Sequence, residues 1–76
     1  MLYDPRTTSI TLFIKRFNQI TDLYGMMAIL KQLPLCMRGE AMEWFASLEE
    51  DITEQMAHSL AIWTAQLQLY FQKNHL

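Results

Sequence analysis

Cysteine occurs once in this chain, at Cys36, and glycine and proline twice each, at Gly25, Gly39, Pro5 and Pro34. A single cysteine excludes an internal disulfide and fits a reducing, intracellular compartment, here expected to be the cytoplasm. Two glycines leave no Gly-rich loop to cradle a phosphate. His58 and His75 stand far apart, and Cys36 is the only cysteine beside them, so the paired ligands of a zinc site are missing. Cys36 with either histidine also lacks the orienting third group and oxyanion-hole loop of a nucleophilic site. No apolar run approaches the ~18 residues of a membrane span. The opening Met-Leu-Tyr-Asp-Pro-Arg has neither the basic start nor the apolar stretch of a signal peptide. The expectation is no enzyme activity, no cofactor and no metal.

Positive charge is sparse as well, with six Lys and Arg against eight Asp and Glu. No basic cluster is dense enough to follow a phosphate backbone. A helix-turn-helix would need Arg, Lys, Asn or Gln opening its recognition helix, whereas Glu40, Glu43 and Glu49 repel phosphate. Neither nucleic acid nor membrane is therefore an expected partner. The charge is unevenly divided: residues 1–38 carry five cations and two anions (5 − 2 = +3), residues 39–76 one cation and six anions (1 − 6 = −5). Opposite ends of neighbouring molecules can attract each other on that basis. The acidic group Glu49, Glu50, Asp51 and Glu54 lacks the Asp-x-Asp-x-Asp-Gly order of a Ca²⁺ loop and reads as a solvated helix end.

What the chain has in quantity is apolar surface. Half of its 76 residues are hydrophobic, and nine are aromatic: Tyr3, Phe13, Phe17, Tyr24, Trp44, Phe45, Trp63, Tyr70 and Phe71. A chain this short makes one domain and buries only about 60–65% of its unfolded surface. More apolar material than one small bundle hides points to a surface that meets other protein.

Along the chain, residues 1–8 read as a flexible lead-in with a turn at Asp4-Pro5, and residues 9–76 as a single helical domain. From Ser9, the positions Ile10, Phe13, Ile14, Phe17 and Ile20, then Leu23 or Tyr24, fall on one helical stripe that Gly25 ends. A second helix is expected from Met26 to Met37, with Pro34 either ending it near Gln32 or kinking it. Gly39 turns the chain into a third helix over 39–50, with Ala41, Trp44, Phe45 and Leu48 inward and Glu40, Glu43 and Glu49 outward. Residues 51–58 read as a linker or frayed turn, and as a linker they can act as a hinge for helix exchange. His58 or Ser59 then caps a fourth helix over 59–72, which carries two apolar stripes. The first holds Leu60, Trp63, Leu67, Tyr70 and Phe71; the second holds Ile62, Ala65 or Gln66, and Leu69. The fold class expected is all-α, a small bundle of about four helices. Its core comprises Phe13, Phe17, Ile20, Leu30, Trp44, Phe45, Leu48, Trp63, Leu67 and Phe71. Met26, Met27, Ile62 and Leu69 are the expected interface positions.

The order Phe13-x3-Phe17, Asp22-Leu23-Tyr24-Gly25, then Leu33-Pro34-Leu35-Cys36-Met37-Arg38-Gly39-Glu40-Ala41-Met42-Glu43-Trp44-Phe45, an acidic gap, and Trp63-x3-Leu67-x3-Phe71 resembles the Gag capsid-like domain of gypsy-type long-terminal-repeat retrotransposons. That family's signature of Leu-x-Gly-x-Ala-x-x-Trp, a downstream Trp and an aromatic falls on Met37, Gly39, Ala41, Trp44, Trp63 and Phe71, with Met in place of the usual Leu. The resemblance covers roughly residues 9 to 72. It implies a retroviral-capsid-like amino-terminal lobe that associates with itself, as a homodimer or in a shell, and with other Gag-derived domains. A zinc knuckle of the form Cys-x2-Cys-x4-His-x4-Cys and the segment leading to a second lobe have no counterpart in these residues. Direct RNA packaging is therefore not expected of this chain. The alternative is a domesticated Gag-derived adaptor, the dimerisation domain of a regulatory protein. If Trp44 is core, Trp44→Ala lowers stability by about 3–5 kcal/mol in denaturant unfolding, enough to unfold most molecules of a domain this small.

Overall fold

The computed structural model describes residues 1–72, and Lys73 and His75, on which the sequence reading also drew, lie outside them. Within that span the chain is all-helical: α1 (Ile10–Tyr24), α2 (Met26–Cys36), α3 (Glu40–Ser47), α4 (Glu50–Met56) and α5 (Leu60–Phe71). The count is five helices among the described residues, one more than the sequence pattern gives.

Local chemistry accounts for most boundaries. The Ser9 hydroxyl accepts from the Leu12 backbone N–H at 3.1 Å and so caps α1. Gly25 closes α1 at φ 89°, ψ 158°, where a side chain would be strained, and its N–H donates to the Thr21 carbonyl at 2.8 Å. Pro34 neither ends α2 near Gln32 nor stops it short; the helix runs through to Cys36. Proline there removes one helical donor, and with only two residues remaining the loss stays within the last turn. Arg38 then covers that end, its guanidinium donating to the Leu35 and Met37 carbonyls at 2.8 and 2.9 Å. Glu40 and Glu43 sit in the first turn of α3, where the helix dipole favours them.

Two expectations are corrected. Residues 51–58 are not a linker: α4 occupies most of them, with Glu50 and Asp51 in its first turn and Met56 fully buried. Ile52 and Met56, one turn apart, give it an apolar face, and the extended Leu48 and Glu49 separate it from α3. A hinge made of 51–58 is correspondingly lost. Ser59, not His58, caps α5, accepting from the Ile62 N–H at 3.3 Å.

Residues 1–8 are not a loose lead-in either. Tyr3 forms a parallel bridge with Met37, its N–H donating to Cys36 carbonyl at 2.8 Å and its carbonyl accepting from Arg38 N–H at 2.9 Å. Its ring, fully buried, stacks on Phe13 with centroids 4.8 Å apart and meets Phe71 edge-on at 5.2 Å. The following turn folds over Asp4, whose carbonyl accepts from Thr7 and Thr8 N–H groups at 3.0 and 2.9 Å. Gly39 is the reciprocal feature: at φ 60° it needs no side chain, and a Cβ there would lie 3.3 Å from an Asp4 carboxylate oxygen.

Phe13, Phe17, Leu30, Trp44, Trp63 and Leu67 are buried as the helical stripes require. Phe45, Phe71, Ile20 and Leu48 are only half-buried and pack against that core. The inner stripe of α1 is expected to take in Leu23 or Tyr24; both are exposed, 77% and 72%.

Burial, together with the nearby carboxylates of Glu40 and Asp4, pushes the Tyr3 phenol from 10.0 up to about 12. The folded chain thus favours the protonated phenol. Its stabilising effect is complete below the unfolded value and is lost as pH rises from about 10 towards 12. Thermal melts across that window are expected to fall for the parent chain and to fall less for Tyr3→Phe.

Candidate interaction surface

No polar or charged residue is buried among the described residues, so any site is to be found on the outside of the bundle or in its grooves. No group of three or more His, Cys, Asp and Glu among those residues is placed to hold a metal ion. No described helix is long and apolar enough to cross a membrane.

Eight of the nine aromatic rings form one contact chain, running Phe17, Phe13, Tyr3, Phe71, Trp44, Phe45, Trp63, with Tyr70 against both Trp44 and Phe71. The surplus apolar surface is therefore mostly aliphatic, carried by Leu and Met, with Tyr24 the one ring outside the network. Leu23 is 77% exposed, Tyr24 72%, Leu69 70%, Leu35 66% and Met27 63%, with Met26, Met42 and Leu12 also exposed.

Among the expected interface positions, Met26, Met27 and Leu69 lie on the surface. Ile62 is half-buried and packs against the core, on a helix that touches both α1 and α4. The four do not make one patch by element, because Met26 and Met27 begin α2 while Leu69 lies near the end of α5. Sequence periodicity passed over Leu35, whose neighbour Pro34 drew the attention, and placed Leu23 or Tyr24 inside.

Three apolar grooves border these side chains. One of about 330 Å³ runs between α1 and α2 past Ile20, Tyr24, Ala28, Ile29 and Cys36. A second, of about 480 Å³, is lined by Pro34, Phe45, Leu48, Ala57 and Trp63, with exposed Glu50 beside them. The third, of about 520 Å³, lies between α3 and α5 at Trp44, Leu48, Gln66, Leu69 and Tyr70. In the second, the Phe45 and Trp63 rings stack nearly parallel, 5.2 Å apart and 8° from coplanar. The buried Trp63 Nε1 has no hydrogen-bond partner.

Charge is unevenly divided between elements. Lys15, Arg16 and Lys31 lie on α1 and α2 beside a single acid, Asp22; Glu40, Glu43, Glu50, Asp51 and Glu54 lie on α3 and α4, and α5 has no charged residue. No Lys or Arg among the described residues is paired with a carboxylate of the same chain. Cys36 is buried, which pushes its thiol up, while the N-terminal ammonium and Arg38 offset this only in part. Comparison with known protein families, with curated proteins and with solved structures gives no match to this chain.

A raised, buried thiol is a poor nucleophile. Titration with an aromatic disulfide reagent at neutral pH is expected to modify Cys36 slowly in the folded chain and fast in denaturant; equal rates would place the thiol at the surface.

Proposed function

We propose that this chain is a structural self-association module, similar to the amino-terminal capsid lobe of gypsy-type Gag proteins, that works through helix–helix contacts. The observation that carries the reading is the set of large apolar side chains left exposed outside the core, concentrated at the α1–α2 corner and along α2. Leu23, Tyr24, Met26 and Met27 surround Gly25, an arrangement that costs the isolated chain solubility and gives nothing to its own stability. Contact with further protein removes that surface from water.

The residues on which the Gag resemblance rests also converge in space. Met37 and Ala41 are buried, Gly39 takes the positive φ, and Trp44 meets Phe71 edge-on at 5.3 Å, with Phe45 linking Trp44 to Trp63. They build the corner between α2, α3 and α5, so their role is to hold the fold, and the contacts between copies fall to the outward Leu and Met residues.

Sedimentation equilibrium at micromolar concentration is expected to return a mass of two chains or more. A single-chain mass persisting to near-millimolar concentration overturns the reading.

A further inference from the structure

We propose, building on that self-association reading, that two copies pair about a two-fold axis, each laying the outer ridge of α2 in the Phe45–Trp63 groove of the other, with Lys31 of each facing Glu50 of its mate.

The ridge is Met27, Lys31 and Leu35, at i, i+4 and i+8, all three exposed. At 3.6 residues per turn they span an arc of roughly 80°, so they form one raised row with a cation between two apolar side chains. Pro34 borders that row, only about 20° beyond Met27 on the helical wheel. Pro34 also lines the groove with Phe45, Leu48, Ala57 and Trp63. Ridge and groove thus adjoin along α2. A protrusion beside a recess is self-complementary in a two-fold contact, since what one copy inserts the other receives in return.

Charge selects the same pairing. Lys31 is the ridge's one charged residue, and Glu50 the one charged residue lining the groove. Both are free of ion pairs within their own chain. Glu49, Asp51 and Glu54 surround Glu50 in sequence, so the groove's field is acidic and disfavours a nucleic acid or an anionic lipid surface as occupant. A second copy supplies the needed cation on an apolar row.

The test uses charge reversal at these exposed positions, with thermal melts to establish that each variant stays folded. Lys31→Glu and Glu50→Lys are each expected to raise the dimer Kd about tenfold or more. Glu50→Lys is the sharper of the two: it brings the net charge from −2 to −2 + 2 = 0, so the relief of general repulsion between copies would strengthen association, whereas loss of the ridge–groove pairing weakens it. An equimolar mixture of the two variants recovers the parent Kd, because in a reciprocal dimer one site then pairs Glu with Lys and the other retains Lys31 with Glu50. Lys15→Glu, on α1, leaves the Kd unchanged within about twofold. If the parent associates but the reversals do not weaken it, the mixture does not recover, or Lys15→Glu matches Lys31→Glu, this pairing is overturned while self-association stands. A parent that never associates overturns both.

Discussion

The structure depends on Tyr3 lying where three helices meet. Its backbone takes up the Cys36 carbonyl at the end of α2 and the Arg38 N–H beyond it, groups that a short helix leaves without partners. Its ring closes the gap between Phe13 of α1 and Phe71 of α5. One residue therefore satisfies a helix end and joins two halves of the aromatic network. For a domain of this size, with no disulfide among the described residues, such linkage substitutes for the covalent or metal staples on which small folds commonly rely.

Legibility in the sequence followed the range of the interaction. Ser9, Gly25, Gly39 and Ser59 act within three or four residues of themselves, so their boundaries could be read directly. The inward stripe of α1 through Phe13 and Phe17 and that of α5 through Trp63 and Leu67 followed from helical period alone. Helix α4 escaped because its apolar signal is one pair, Ile52 and Met56, inside an acidic stretch that resembles a solvated loop. Tyr3 escaped for a different reason. Nothing near it in sequence announces a partner, since its contacts are with Met37, Phe13 and Phe71.

The surface was harder to read than the core. Period alone puts Leu23 or Tyr24 inward with Phe13 and Phe17, yet both stay exposed. The two stripes of α5 were visible, but Ile62 packs inward and only Leu69 among the large members of the second stripe stays open. A helix without charge is suited to the middle of a small bundle, and α5 touches α1 and α4 while its aromatic residues engage those of α3.

The separation between Tyr3 and Phe71, 71 − 3 = 68 positions, bears on how the molecule is made. During synthesis on the ribosome Tyr3 emerges well before Phe71, and its pocket is incomplete until then. Helices α1 and α2 can pair early as a hairpin, but the ring that seals them remains wet until α5 arrives. Nascent chains are thus obliged to acquire their tertiary structure late and together, and a ribosome stalled before Phe71 would hold out a sticky, unfinished intermediate for chaperones to cover.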